Sequence, residues 1–133
     1  MRVNDLMLGD WVRNTNGNVG RVAGITEDGA EVIVHYTDNG TAFSDPGLLR
    51  PVRLLLGMLA ENGWEVHDKM YAELAYEEGR RLSWYQYEGI LRDWYTGRDG
   101  VDREIFLSRP GLIYVHQMQH ALRMCGIEKE ILL

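Results

Sequence analysis

The chain of 133 residues has one cysteine, three prolines and two lysines, and nowhere a run of the about 18 apolar residues that a membrane-spanning helix needs. Each scarcity closes off a class of protein. A lone cysteine, Cys125, forms no internal disulfide and no dithiol redox pair, so its expected place is core packing. The opening "MRVNDLMLGDW" carries one basic residue and no apolar stretch of signal-peptide length, which points to a cytoplasmic protein without membrane association. With a formal charge of −6, nonspecific DNA binding is not expected, because phosphate neutralisation needs clustered Lys and Arg with few competing carboxylates.

What is present is a globular composition. Hydrophobic residues make up 45% and charged residues 26%, enough for one good core or two small ones and too apolar for disorder. The 14 basic residues are almost all arginine. Arginine stacks on aromatic rings and forks onto carboxylates and phosphates, so the bias suits specific contacts better than diffuse attraction.

Residues 1 to 53 read as β structure of small-barrel size. "VGRVAGI" and "EVIVHY" are strands, the second with strict alternation that puts Val32, Val34 and Tyr36 on one face and Glu31, Ile33 and His35 on the other. "NTNGN", "TEDGA" on Asp28-Gly29 and "TDNGT" on Asn39-Gly40 are turns. The prolines of "FSDPGLLRPVRL" suit an edge rather than a central strand. Short strands with tight turns at this spacing predict an SH3-like barrel.

Residues 54 to 133 follow a different pattern. "LLLGMLAENGW" predicts a short helix with Asn62-Gly63 as its stop, although nothing at its start offers a capping side chain and Gly57 costs about 1 kcal/mol against Ala. "MYAELAYEEG", "RRLSWYQYEG", "ILRDWYTG" and "REIFLSR" predict three or four antiparallel strands, the first of which could instead be helical. An amphipathic helix closes the chain from about Leu112 to Cys125, and "GIEKEILL" could form a short last strand. The fold class expected is α+β: an SH3-like unit over 1–53 and a unit of helix, antiparallel strands and helix over 54–133, packed as one particle, since no flexible linker separates them.

"LMLGDWV", "ENGWEV", the aromatic strands and "YVHQMQHALRMCGIEKEI" together resemble a family of small uncharacterised proteins associated with prophages and mobile elements of gut anaerobic bacteria. The resemblance covers most of the chain. It implies a mobile-element origin and brings no activity with it. The family's capping Thr-Pro-Glu sequence before "NGW" is replaced here by Leu55-Leu56-Gly57, so that cap is not carried over.

The stretch "YVHQMQHALRMCG" places two histidines four apart, ahead of the cysteine. At about 100° per residue, with His116 as zero, His120 falls at about 40°, Arg123 at about 340° and Gln119 at about 300°. Tyr114, Met118, Ala121, Leu122 and Cys125 fall on the opposite side, so one continuous helix cannot present both histidines and the cysteine to one metal ion. Gly126 in the left-handed conformation, with Leu122 and Ile127 as the apolar pair, would stop the helix in a Schellman motif. The histidine spacing matches the zincin signature H-E-x-x-H, but Gln117 stands where the general-base glutamate belongs and Arg123 puts a cation beside the site. Metal-dependent hydrolysis through His116 and His120 therefore ranks last. The stripe His116, Gln119, His120 and Arg123 is either a solvated polar face or a surface that receives an anion or a partner's carboxylate.

A second candidate surface is aromatic. Trp84 and Tyr85, and Trp94 and Tyr95, are adjacent pairs whose members point to opposite faces of a strand, so one of each pair tends outward near Arg80, Arg81 and Arg92. Such a row could be ordinary core, a protein-contact surface or a stacking platform for bases. Asp99, Asp102 and Glu104 in "DGVDRE" lack the spacing of a calcium loop. No nucleophile-and-base motif and no phosphate-cradling loop occur, and no cofactor is implied. These readings converge on a non-enzymatic binding protein acting through a protein partner or self-association as a homo-oligomer. The alternative is a binder of a small anionic ligand such as a nucleotide signal, of the phage counter-defence type.

Overall fold

The computed structural model describes residues 1–37 and 40–133, with Phe106 described by its backbone alone. The turn expected on Asn39 lies outside the described residues. The fold is α+β, with two five-stranded antiparallel sheets and two α-helices. It divides into two units, residues 1–53 with 114–119, and residues 54–113 with 120–133.

The first unit holds β1 (Trp11–Arg13), β2 (Val19–Ile25), β3 (Val32–Tyr36), β4 (Gly40–Ser44) and β5 (Arg50–Pro51), in the order β4-β3-β2-β1-β5. Alternation in β3 decides which side is core: Val32, Val34 and Tyr36 are buried with Leu6, Val12, Val22 and Leu49, while His35 is exposed. Gly20 sits inside this core because a Cβ there would meet Val34, Tyr36 and the His35 carbonyl at 2.7–2.9 Å. A 3-10 turn, Pro46–Leu48, capped by the Asp45 carboxylate on the Gly47 N–H, connects β4 to β5. Pro51 lies on the edge strand β5, where its missing donor costs no ladder bond on the solvent side. Among the described residues no ladder joins β4 to β5, so the sheet is not closed into the expected barrel.

The second unit begins with α1 (Leu56–Glu61), which has no side-chain cap at its N-cap, Leu55. A sheet follows: β6 (Glu65–His67), β7 (Tyr71–Glu77), β8 (Arg80–Tyr85), β9 (Ile90–Thr96) and β10 (Asp102–Leu107), an antiparallel meander in spatial order β10-β9-β8-β7-β6. The segment that could have been helical is β7, and β6 is a strand the sequence pattern did not reveal. Ala72, Leu74, Leu82, Trp84 and Leu91 alternate onto one face and are buried. The last helix, α2, spans Val115–Met124. It starts three residues later than expected because Tyr114 bridges to Arg53, and the Gln117 side chain accepts the Tyr114 N–H at 3.0 Å, as the fourth residue of a capping box does.

Both helices end in the same way. The Ile127 N–H reaches the Leu122 carbonyl at 2.9 Å and Gly126 reaches Arg123 at 3.0 Å, with Gly126 at φ 72°. The Trp64 N–H likewise reaches Leu59 at 3.0 Å and Gly63 reaches Ala60 at 3.2 Å, with Gly63 at φ 87°. These are Schellman stops with a buried apolar pair, Leu122 with Ile127 and Leu59 with Trp64. After Gly126 the chain forms no last strand. Ile127 and Ile131 of this segment are buried, and it is held by Asn62, whose side chain accepts the Leu132 N–H at 2.7 Å and donates to the Leu132 carbonyl at 3.0 Å.

Candidate recognition face and cleft

Because side chains alternate along each strand, the sheet of the second unit sends its apolar residues to one face and a row of rings and charges to the other. Register brings that row together: His67 lies opposite Tyr71, and Tyr71 opposite Tyr85. Ring centroids are 4.9 Å apart for His67 and Tyr71 and 5.1 Å apart for Tyr71 and Tyr85, in both cases nearly parallel. These spacings match the distance between neighbouring strands, so the rings stand side by side like the strands themselves. The Arg92 guanidinium extends the stack, 5.3 Å from the Tyr85 ring. In the next row Arg81 lies 5.5 Å from the Trp94 ring.

Carboxylates surround both arginines. Arg81 Nη2 lies 3.0 Å from Asp102 Oδ2 and Arg81 Nε lies 3.7 Å from Glu73 Oε2, while Arg92 lies 3.8 Å from Glu104. Hydrogen bonds from Thr96 and then Arg81 hold the Asp102 carboxyl below the usual carboxylate range. Burial, and after it Glu73, pushes the Tyr71 phenol up. His67 Nε2 lies 3.9 Å from carboxylate oxygens of both Glu65 and Glu73. The face is thus half-exposed, with the Tyr71 and Tyr85 rings flanked on both sides and each arginine near a carboxylate, while Arg92 Nε and His67 Nε2 are buried without a hydrogen-bond partner among the described residues.

The opposite side carries one polar cluster. Asp93, 3% exposed, accepts the Tyr76 hydroxyl at 2.8 Å and the Arg80 Nη2 at 2.6 Å, and the guanidinium sits 5.4 Å from the Tyr76 ring. Tyr76 reaches Asp93 because of a bulge: Ala75 pairs with Arg81 and Glu77 with Arg80, leaving Tyr76 as the extra residue. Beside this cluster a cavity of about 430 Å³ is lined by Tyr76, Glu77, Arg80, Cys125, Ile127 and Glu128 among others. Burial, followed by the Asp93 charge, raises the Cys125 thiol above its ordinary value.

The residues expected to form sites are placed as follows. Trp84 is core, 1% exposed, with its indole N–H donated to the Leu112 carbonyl at 2.8 Å. Tyr85 and Trp94 are half-buried on the open face, whereas Tyr95, 42% exposed, points to the other side of β9. The helical stripe does not form one accessible face: His116 is 8% and Gln119 3% exposed, His120 is half-buried and Arg123 exposed. More than one side of α2 is covered, so polar positions go inside along with Val115, Met118 and Leu122. Cys125 lies half-buried in the cavity wall rather than in the core. His67, Tyr71 and Glu73 went unmarked by the sequence, as did the link from Tyr76 to Asp93, because each depends on a hairpin register or a bulge with no local motif.

Among the described residues no group of three His, Cys, Asp or Glu is arranged to hold a metal ion, and no helix is long and apolar enough to cross a membrane. Compared with protein-family models, curated proteins and solved structures, the chain matches none.

Proposed function

We propose that this protein is a non-enzymatic binding module whose recognition surface is the open face of the second sheet and whose partner is another protein. The stack His67–Tyr71–Tyr85–Arg92 supports this reading, because it stands half-exposed on the side of the sheet that holds no core. Tyr, Trp and Arg are the residues enriched at protein interfaces and among their energetic hot spots. What the face offers is ring edges, hydroxyls and balanced charge. Tyr71 and Tyr85 have no ring face left for a base, and the carboxylates beside Arg81 and Arg92 disfavour a phosphate, so a protein surface of mixed polarity fits better. A small anionic ligand such as a nucleotide signal therefore comes second, and metal-dependent hydrolysis through His116 and His120 third.

A cytoplasmic setting, a phage or mobile-element origin and a second copy as partner belong to the same proposal. So does an SH3-like reading of the first unit, supported by its strand order and by the 3-10 turn between β4 and β5. The test is photo-crosslinking in an extract of the native host, with benzoylphenylalanine placed at Tyr85 or, as a control, at Glu27. A discrete adduct from position 85 alone, lost with Arg92→Glu, is expected; the same products from both positions, or indifference to Arg92→Glu, would overturn the reading. Sedimentation velocity of the wild type and Arg92→Glu separates self-association from binding to a different protein.

A further inference from the structure

The formal charge of −6 is an average over the chain, and strand register sorts it locally. On the first sheet Val12, Val22, Val34 and Tyr36 point into the core, so the alternate residues of the same strands stand on the other face. There Arg13 of β1 lies directly opposite Arg50 of β5, and Arg21 of β2 directly opposite His35 of β3. Arg13 also faces Val19, which makes Arg13 and Arg21 diagonal neighbours, about 7–8 Å apart between Cα atoms. No Asp or Glu occupies an outward position of these five strands. Glu31 precedes β3 and adjoins the Ile25 end of β2, whereas Arg13 pairs at the Val19 end.

Like charges directly opposite each other destabilise a sheet. Arg13 and Arg50 are both exposed, with Cβ atoms about 4.5–5.5 Å apart. Neither forms an ion pair with a carboxylate among the described residues. Arg50 is oriented by neutral acceptors instead, its Nη1 donating to the Gly47 carbonyl at 2.9 Å and the Leu49 carbonyl at 3.2 Å. An anion shared by the two guanidiniums relieves their repulsion. Arg21 is positioned by the Trp11 ring, 5.1 Å away, and by the Gly9 carbonyl, which accepts its Nε at 3.2 Å. Phe43 of β4 stands on the same face, 65% exposed, opposite Ile33 and one diagonal step from His35. Among the described residues no other ring and no guanidinium lies against it.

This face supplies what the second sheet lacks: cations without neighbouring carboxylates, and a ring open to solvent. Phosphates suit the arginines and an unpaired base suits the ring, whereas a duplex keeps its base faces covered. Across five strands at about 4.8 Å per step the row spans about 19 Å, room for about six stacked nucleotides at about 3.4 Å each. We propose that the outward face of the first sheet binds single-stranded nucleic acid, with the sugar-phosphate backbone crossing Arg50 and Arg13 toward Arg21 and one base stacked on Phe43 beside His35. This site is separate from the open face of the second sheet and does not depend on it.

The test is fluorescence anisotropy of the whole chain with labelled oligothymidylate and oligouridylate of about twelve residues and with a duplex of equal length, between about 50 mM and about 200 mM salt. Single strands should bind saturably, and log K should fall against log salt with a slope of about −1.4 to −2, as two to three phosphate contacts predict. The tighter of the two strands names the source as DNA or RNA. Arg13→Gln should reduce the slope by about 0.7 and, by removing a like-charge contact, raise the melting temperature of the free protein. Phe43→Ala should weaken binding about 5- to 100-fold. Both residues are exposed, so the fold survives either change. Absence of saturable binding, an unchanged slope or a lower melting temperature in Arg13→Gln, or displacement by tripolyphosphate at equal phosphate concentration would overturn the proposal. Duplex binding as tightly as single strands, or indifference to Phe43→Ala, would overturn the part that uses the ring. Self-association at low salt that Arg13→Gln abolishes, without oligonucleotide binding, would assign the face to a second copy instead.

Discussion

Arg80 and Asp93 sit on adjacent strands and meet at 2.6 Å, with the Asp93 side chain 5% and the Arg80 side chain 28% exposed. Removing the cation strands a buried carboxylate, whereas removing both charges does not. Arg80→Met should cost about 2–4 kcal/mol in urea unfolding, discounted from the fully buried case because Arg80 is partly solvated. The double variant Arg80→Met with Asp93→Leu should recover part of that loss. If the double variant is as unstable as the single losses combined, the pair has no coupling.

Gln119 is 3% exposed, and neither its amide nitrogen nor its amide oxygen has a hydrogen-bond partner among the described residues. A buried, unsatisfied amide costs about 1–3 kcal/mol. Gln119→Met keeps the shape and drops the polar atoms, so the melting temperature should rise. A fall would show that the amide is solvated by an internal water or another group.

Gly126 has no atom within 4 Å of where a Cβ would stand, yet its φ is +72°. Gly126→Ala should therefore cost about 1 kcal/mol through backbone strain alone, and Gly126→Asn less. Measured by thermal unfolding, equal losses for Ala and Asn would show that the left-handed conformation is not the cause.

Much of this was legible in the sequence. Alternation in "EVIVHY" gave the core face of β3, Asn62-Gly63 and Gly126 marked helix ends, and the aromatic segments read as strands. Polarity misplaced His116 and Gln119, because a wheel diagram assumes one covered side. Cys125 was misjudged in the other direction: it follows α2 directly, where the chain turns away at Gly126 and leaves it in a cavity wall. The site residues were hidden for a different reason. His67, Tyr71 and Tyr85 are brought into one stack by two hairpin registers, and Tyr76 is turned toward Asp93 by a bulge, and no short-range pattern encodes either.

Thr96 donates to Asp102 Oδ1 at 2.6 Å, and that bond is the first cause of the lowered Asp102 pKa. A carboxyl with a folded value below its unfolded one adds stability above the unfolded value, and that stability disappears as the pH falls through the folded value. Unfolding midpoints should decline as the pH drops below about 4. Thr96→Val should flatten this decline relative to the wild type; an unchanged acid limb would remove Asp102 from the explanation. Asp28 and Asp99, lowered chiefly by an Ala30 backbone bond and by Arg103 respectively, contribute in the same direction.

The Asn62 amide grips Leu132 at both its N–H and its carbonyl and also donates to the Met58 carbonyl at 2.7 Å. Together with the turn at Gly126 it pins the segment between them at both ends, like a bowstring. A loose segment of that length would have to surrender its conformational freedom each time something lodged against it. Here that freedom is already lost when the chain folds, and one asparagine at the end of a six-residue helix fixes where the segment lies.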